Sequence, residues 1–379
     1  MSAARLTIVH TESSVGWGGQ ELRILSESAG MIERGHSVTI VCPEEARIFQ
    51  EAKERDIPVM ALPIARKNLH GLLALRTWLK AHQLDLLNTH SSTDSWLTAL
   101  ACASLRRAPP IVRTRHISTA IANNVGTHWL YQYAAIHVVT TGERLREQLI
   151  AENGFDASRI TSVPTGIDPR LFAPSDRAVA RSAVGLPIDV PLIGIVATLR
   201  NWKGHEYLLE AMAQLPRRDA HLVIVGDGPR RKQIEQRIDA LALRDRVHLP
   251  GNQRNVAPWL QALDVFVLPS YANAGVPQAI VQAMLTGLPI VSTGVGSIGE
   301  AIRDGETGIV VPSRDARALS MAIASLLDDA PRAMSLGAAA RARAIEHFSL
   351  DTMLDRMEDV FHAALDRARQ RTPSRLPRR

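Results

Sequence analysis

The stretch from Asp264 to Met284 predicts a strand, a short glycine-containing loop and a helix, in that order. Its first five residues, DVFVL, are apolar and rich in β-branched and aromatic side chains, which is typical of a buried parallel strand. The loop ends at Pro277, a residue favoured in the first turn of a helix. A helix that starts beyond a strand end leaves backbone amides free to bind phosphate. The same pattern also fits an ordinary strand–loop–helix turn that binds nothing.

Strand and helix patterns alternate along nearly the whole chain. The clearest strand patterns cover 6–10, 37–42, 85–90, 111–115, 137–141, 191–198, 222–225, 264–268 and 289–292. Alternation of this kind builds parallel sheets with helices on both faces. A chain of 379 residues is too long for one ordinary core. We therefore expect an α/β protein with two Rossmann-like, doubly wound domains.

Composition and charge narrow the class of protein. No apolar run approaches the roughly 20 residues that span a bilayer, and the N-terminus leads directly into a strand pattern, so we expect a cytoplasmic protein. Cys42 and Cys102 are too few for a disulfide framework and lie in no metal-ligand spacing. The net charge of +6 originates in residues 367–379, which carry six arginines and no acid. The body is formally neutral, which argues against nucleic-acid binding.

The basic segment 367–379 also contains prolines, and we expect it to be a disordered tail. Its arginines could hold the protein against the anionic inner face of a membrane, or they could serve only to keep it soluble.

Several further segments have a distinctive composition. In chain order they are Gly18-Gly19-Gln20-Glu21, Val163-Pro164-Thr165-Gly166-Ile167-Asp168, Lys203-Gly204, Gly226-Asp227-Gly228-Pro229, 247–252, 269–284, 294–300 and 305–312. Together they resemble the motifs of the retaining glycosyltransferases of family 4. That family has the GT-B fold, in which two Rossmann-like domains face each other across a cleft. The resemblance runs from Gly18 to Phe348.

The resemblance implies a domain organisation. Residues 1–172 would form an acceptor-side domain and residues 173–349 a nucleotide-sugar-binding domain, with a helix at about 350–366 packing back on the first domain. A dinucleotide-binding fingerprint in the first loop is the alternative. We reject it because Gly16 and Gly18 are followed by Glu21 at the third glycine position.

The resemblance also implies which residues act. His116 corresponds to a histidine placed against the transferred sugar, and Lys203 to a lysine that binds the diphosphate. Arg200 would replace the family's arginine, whose position holds Thr198. Such cations stabilise a diphosphate leaving group, although the same residues would also suit a solvated basic turn. A structural and a functional role are both open for His90, which ends the predicted strand 85–90. The residues expected to bind the donor are Gly18, Gly19, Gly226, Pro250, Asn252, Gly275, Val276, Pro277 and Gln282.

The chain departs from the family at two positions. Ala274 and Gln282 stand where the family has a pair of glutamates. The amide of Gln282 can still bond ribose hydroxyls, but Ala274 can bond nothing. Losing a charged hydrogen bond would slow transfer roughly ten- to hundredfold. Ala274 would then be either an engineered, inactivating substitution or a feature of a natural pseudo-enzyme that binds a nucleotide sugar. A GT-B sugar-nucleotide epimerase is a third alternative.

The function expected from the resemblance is retaining transfer of a sugar from a nucleoside-diphosphate sugar to a hydroxyl group. We expect UDP rather than GDP as the nucleotide, and a cell-envelope glycan or glycolipid, such as lipopolysaccharide, as the acceptor. No cofactor is expected. Metal is not required either, because the leaving phosphate is proposed as the base in the family and no Asp-x-Asp cluster is present.

Overall fold

A computed structural model describes residues 5–117, 119–272 and 275–371 and divides the chain into two compact units. The first unit contains the described residues up to Gly166 and those from Leu350 onward, and the second contains Ile167–Ser349. Each unit has one parallel sheet with helices packed against it. The predicted α/β class with two Rossmann-like domains is therefore confirmed. The predicted domain division, between residues 172 and 173, lies a few residues beyond Gly166.

The first unit is built on a seven-stranded sheet. Its strands are β1 (Thr7–Thr11), β2 (Ser37–Cys42), β3 (Val59–Ala61), β4 (Leu86–Thr89), β5 (Ile111–Arg115), β6 (Ala135–Thr140) and β7 (Ile160–Ser162). Its helices up to this point are α1 (Gly19–Glu33), α2 (Arg47–Lys53), α3 (Leu69–Ala81), α4 (Ser92–Ala103), α5 (Val125–His128) and α6 (Glu143–Asn153). The strand order is β3-β2-β1-β4-β5-β6-β7, so the chain reverses direction across the sheet between β1 and β4.

The second unit repeats this plan with a six-stranded sheet. Its strands are β8 (Leu192–Val196), β9 (His221–Val225), β10 (Val247–Gly251), β11 (Val265–Leu268), β12 (Ile290–Thr293) and β13 (Ile309–Val311). Its helices are α7 (Arg177–Val184), α8 (His205–Gln214), α9 (Arg231–Ala240), α10 (Ala257–Gln261), α11 (Gln278–Leu285), α12 (Ile298–Ala301), α13 (Ala316–Asp328) and α14 (Ala330–Phe348). The order β10-β9-β8-β11-β12-β13 reverses between β8 and β11.

The last helix, α15 (Leu350–Arg371), returns to the first unit. It inserts Met357 and Phe361 into a core that also contains Ile8 of β1 and Val112 of β5. Apolar residues at helical spacing explain why it packs on a sheet. The predicted return of the C-terminal helix to the first domain is thus confirmed.

The basic tail predicted over 367–379 needs a correction. Residues 367–371 continue α15, while 372–379 lie outside the described residues. Arg367 is held in place because its guanidinium donates to the Ser158 carbonyl at 2.6 Å and lies 3.2 Å from His137 Nδ1. The sequence alone could not predict this, because the partners of Arg367 lie more than 200 residues away in the chain.

Candidate functional site

The topology of each sheet indicates where a ligand would bind. In doubly wound sheets, ligands lie beyond the carboxyl ends of the strands, at the point where the strand order reverses. That point lies between β1 and β4 in the first unit and between β8 and β11 in the second. Most of the predicted site residues are on loops that leave these four strands or their neighbours.

In the first unit, the loop after β1 leads to the N-terminus of α1. Gly18 is the N-cap residue, with extended backbone, and Gly19 is the first residue of the 15-residue helix. Gly18 has no side chain with which to cap the helix. Both predicted glycines thus lie where the amides and the dipole of α1 favour an anion or a hydroxyl oxygen.

A buried carboxyl group that the sequence did not single out lies beside these glycines. Glu12 follows β1 and accepts hydrogen bonds from the Ser14 amide, the Gln20 amide group and the Ser91 hydroxyl. Burial, together with the nearby Asp94 carboxylate, raises the pKa of Glu12 to about 8. The surroundings of Glu12 therefore favour the neutral acid over the carboxylate.

Asp94 is the second buried acid of this cluster. It is the third residue of α4 and forms a capping box with Ser91, and it also accepts from the Thr11 hydroxyl at 2.9 Å. Burial raises the pKa of Asp94 to about 6. The Ser-x-x-Asp spacing of a capping box was the available sequence signal for it.

Three histidines form a continuous chain through this part of the first unit. His10 Nδ1 lies 2.9 Å from His90 Nε2, and His90 Nδ1 lies 2.9 Å from His116 Nε2. His10 and His90 are buried, whereas His116, the predicted catalytic histidine, is partly exposed. Burial lowers the pKa of all three imidazoles, and for His90 and His116 it falls well below the ordinary value. These three imidazole rings are therefore neutral at physiological pH.

Two arginines of β5 lie buried near these histidines. Arg113 and Arg115 have side chains on the same face of the strand, and Tyr131 contacts both. Burial alone would raise the pKa of Tyr131, but the two guanidinium groups lower it below its usual value. Within the described ranges, neither arginine forms an ion pair with a carboxylate. Arg113 nevertheless lies close enough to Asp94 to oppose the rise in the pKa of that carboxyl, so part of the positive charge of this cluster is offset.

In the second unit, the loop after β8 carries the predicted Lys203. Lys203 ends a short 3-10 turn and is partly buried, and burial lowers the pKa of its ammonium group. Gly204 follows with φ of +78°, and a Cβ there would lie 2.0 Å from the Pro269 carbonyl oxygen. The Tyr271 amide donates to the Trp202 carbonyl at 2.9 Å. The loops after β8 and β11 are thus packed together at the reversal point.

The turn after β9 closes over the same loop. Gly226 has φ of +139°, and a Cβ there would lie 2.1 Å from the Ala197 carbonyl oxygen. The Gly226 amide donates to the Gly251 carbonyl at 2.9 Å, which joins this turn to the end of β10. Pro250 lies within β10, and Asn252 follows it with an exposed side chain. Gly226, Pro250 and Asn252 therefore share the carboxyl edge of the sheet.

The predicted strand–loop–helix segment ends in α11. Pro277 is the N-cap and the helix starts at Gln278, one residue later than predicted, with Val276 buried before it. Gln282 lies in the helix with a partly exposed side chain. Gly275 is partly exposed, and Ala274 lies outside the described residues. The helix N-terminus thus follows β11 at the reversal point, as an anion site requires.

Arg200 is exposed, and its guanidinium lies 5.2 Å from the centroid of the Trp202 ring. It lines a cavity of about 240 Å³ between α8 and α9, together with Arg230, Arg237 and His205. Lys203 is not among the residues that line this cavity. Arg200 and Lys203 flank the same short 3-10 turn, and their joint role stays a prediction.

The described residues contain neither a metal-binding cluster nor a membrane-spanning helix. In 5–117, 119–272 and 275–371, no group of three or more histidine, cysteine, aspartate or glutamate side chains is arranged to hold a metal ion. No helix in the same ranges has the length and apolar composition needed to cross a membrane.

Comparison with protein families gives two adjoining matches. Residues 17–171 match the model described as Glycosyltransferase Family 4, and residues 190–329 match the one described as Glycosyl transferases group 1. A D-inositol 3-phosphate glycosyltransferase of Xylanimonas cellulosilytica is 31% identical over 75% of this chain and 73% of its own length. The enzyme of the same name from Mycolicibacterium paratuberculosis is 29% identical over 84% of this chain and 74% of its own length.

Solved structures share the whole fold. A glycosyltransferase from Rickettsia africae superimposes with a TM-score of 0.86 at 20% identity, covering 96% of this chain and 99% of its own. Anabaena HepE, solved in complex with UDP and glucose, gives a TM-score of 0.82 at 22% identity, covering 95% and 100%. These neighbours support the predicted GT-B fold.

Proposed function

This chain belongs to glycosyltransferase family 4, and we propose that it transfers a sugar from UDP-sugar to a hydroxyl group with retention at the anomeric carbon. UDP is preferred over GDP in this proposal because Anabaena HepE, a protein of the same fold, was solved with UDP. The activity as a glycosyltransferase follows from the family. The donor, the stereochemistry and the acceptor are the proposed part.

The packing of three loops in the second unit carries the proposal. The loop of Lys203 and Gly204, the Gly226 turn and the segment leading to α11 contact each other at the carboxyl edge of one sheet. They bring an ammonium group and a helix N-terminus to the point where a doubly wound sheet binds its ligand. Both groups suit a diphosphate. The nucleotide half of a sugar donor would therefore lie here.

The mechanism follows from what each group can do. Lys203 and the amides at the start of α11 would stabilise the charge that develops on the diphosphate as the glycosidic bond breaks. The leaving phosphate oxygen then takes the proton of the acceptor hydroxyl, and that hydroxyl oxygen bonds to the anomeric carbon on the face that the phosphate leaves. His116 would hold a hydroxyl group of the transferred sugar. This scheme uses no metal and no cofactor.

For the acceptor we propose a hydroxyl group of a cell-envelope glycan or glycolipid. One protein with the same fold is WaaG, described as a glycosyltransferase involved in lipopolysaccharide biosynthesis. A small phosphorylated polyol is the second candidate, because the relatives act on D-inositol 3-phosphate. The guanidinium groups of Arg113 and Arg115 favour an acceptor that carries phosphate.

Ala274 favours one alternative function, which is binding of a nucleotide sugar without turnover. Where the family has a glutamate, alanine supplies no hydrogen bond to the donor sugar. Restoring the carboxylate distinguishes the two functions. A transferase disabled at this one position gains activity in Ala274→Glu, and a binding protein does not.

The first experiment measures nucleotide binding and turnover together. Thermal unfolding of the chain and of Ala274→Glu is followed with UDP, GDP, ADP and their sugars, and released nucleotide is assayed with and without acceptor. The proposal expects a selective UDP shift in both proteins and faster transfer in the variant. Binding with no transfer in either protein supports the binding function. A sugar isomer formed without acceptor identifies an epimerase, and no nucleotide shift at all contradicts the proposal.

A further inference from the structure

The three-histidine chain constrains the position of its own protons. A neutral imidazole has one ring nitrogen that donates and one that accepts. The two hydrogen bonds His10–His90 and His90–His116 each join an Nδ1 to an Nε2. Both bonds can form only if all three rings carry their proton on the same nitrogen. The three histidines therefore have two possible tautomeric states. In one state every ring carries its proton on Nε2, and in the other every ring carries it on Nδ1.

Glu27 breaks the symmetry between these states. Its Oε1 lies 3.9 Å from His10 Nε2, and both side chains are fully buried. His10 Nε2 has no hydrogen-bond partner among the described residues. With every proton on Nε2, the His10 N–H faces the carboxylate and is attracted to it. With every proton on Nδ1, two acceptors face each other in a low-dielectric interior, which is unfavourable.

Neighbouring residues fix Glu27 in this position. Arg23 Nε lies 3.4 Å from Glu27 Oε2, and the Asn88 amide donates to Oε1 at 3.3 Å. Asn88 is fixed in turn, because its carbonyl oxygen accepts from the Thr114 hydroxyl at 2.8 Å. Thr114 lies on β5, which ends beside His116. The carboxylate is therefore held by both α1 and the sheet.

We infer that Glu27, acting through His10 and His90, fixes His116 as the tautomer that donates from Nε2 and keeps Nδ1 as a hydrogen-bond acceptor. This inference rests on the proposed function for its consequence, since His116 is the residue proposed to contact the transferred sugar. A hydroxyl group of the sugar must then donate to His116 Nδ1. Glu27, His10 and His90 are positioning residues, because they act on the substrate only through His116.

The tautomers can be measured on the full chain without any ligand. Nitrogen-15 labelling of histidine and long-range proton–nitrogen correlation spectra distinguish Nε2–H, Nδ1–H and cationic rings. Single His10→Asn, His90→Asn and His116→Asn variants assign the signals. We expect Nε2–H for all three rings at pH 7. Nδ1–H or cationic signals for His90 or His116 would overturn the inference.

The second experiment removes the charge of Glu27, which is inferred to select the Nε2–H tautomers. In Glu27→Gln, the amide oxygen can still accept from Arg23, while the amide nitrogen takes the place of Oε1, turns an N–H toward His10 Nε2 and loses the hydrogen bond from Asn88. We expect Nδ1–H signals to grow at His116, and kcat/KM for the sugar donor to fall about tenfold, the size of one lost hydrogen bond. Glu33→Gln, an exposed position on the same helix, is the matched control and leaves both unchanged.

The outcomes separate this inference from the proposed function. Folded Glu27→Gln with unaltered histidine signals contradicts the role of Glu27. If that variant fails to fold because Arg23 loses its charged partner, the spectrum of the unsubstituted chain decides the matter. Predicted tautomers with no sugar transfer by any variant leave the inference standing and contradict the proposed function. Sugar transfer together with Nδ1–H signals for His90 and His116 supports the proposed function and contradicts the inference.

Discussion

At the scale of single residues, Lys203 offers the most direct test of donor binding. Its ammonium group is partly buried at the carboxyl edge of the second sheet, where a diphosphate would lie. We expect Lys203→Ala to weaken UDP-sugar binding about ten- to hundredfold, since a charged hydrogen bond is worth about 1.5–3 kcal/mol. Titration calorimetry with UDP measures this loss of affinity. Lys232→Ala, at an exposed position of α9, is the control, and equal affinity in both variants would contradict the prediction.

Glu12 gives a prediction for the pH dependence of stability. Its pKa is about 8 in the folded chain against an ordinary 4.5. The folded state therefore binds the proton more tightly than the unfolded state, and the free energy of unfolding falls as pH rises from about 4.5 to 8. Glu12→Gln lacks this titration. We expect its melting temperature, relative to that of the unsubstituted chain, to rise between pH 5 and pH 9.

The control for Glu12 is an exposed glutamate. Glu33→Gln removes one carboxylate from the surface of α1, and its melting temperature should follow that of the unsubstituted chain at every pH. If the curves of melting temperature against pH are parallel for all three proteins, the pKa of Glu12 is not raised in the folded chain. The prediction of a neutral acid at Glu12 would then be wrong.

At the scale of secondary-structure elements, Gly204 determines how the loops of the second unit pack. Its φ of +78° is left-handed, and a Cβ would meet the Pro269 carbonyl oxygen at 2.0 Å. Gly185 at the end of α7 has a similar φ of +68° but nothing within 4 Å of a Cβ. Gly185→Ala should therefore show the left-handed backbone penalty alone, about 1–2 kcal/mol.

Gly204→Ala should lose more stability than its control and also lose donor binding. The added methyl group forces the Lys203 loop away from the loop after β11, so both packing and the diphosphate site change. Urea unfolding measures the first effect and the thermal shift with UDP measures the second. Equal stability loss in the two variants, with full UDP binding by Gly204→Ala, would show that this contact does not shape the site.

The sequence predicted the elements that border the site better than those far from it. Strands such as β2 and β5 have the predicted bounds, because each is a run rich in β-branched residues and bounded by turn residues. The helices α2, α3 and α14 and the strand β3 are among the elements that were not predicted. Three-residue β3 is too short for a periodic pattern, and it is held as a strand by pairing with β2.

The same limit applies to the site. His116, Lys203 and the glycines could be predicted because each belongs to a local motif at a strand end. His10, Glu12 and Glu27 could not, because their importance arises from contacts between segments far apart in the chain. His10 and His90, for example, meet only because β1 and β4 are neighbours in the sheet.

At the scale of the whole molecule, the first unit is built from two separate parts of the sequence, and the second unit is formed by the residues between them. Helix α15 comes last in sequence, yet it completes the core of the first unit, while Ile167–Ser349 forms the second unit in between. The first unit therefore cannot complete its core until the second has been synthesised. A substitution in α15 should affect segments at the opposite end of the sequence.

Phe361 and Phe266 form a matched pair for testing this organisation. Both are fully buried, Phe361 in the first-unit core and Phe266 on β11 of the second. Replacing either with alanine should lower local stability by about 3–5 kcal/mol. Hydrogen exchange followed by mass spectrometry should then show faster exchange in β1, β5 and α15 for Phe361→Ala, and in β8, β11 and β12 for Phe266→Ala. Phe361→Ala that accelerates exchange mainly within Ile167–Ser349 would contradict the assignment of α15 to the first unit.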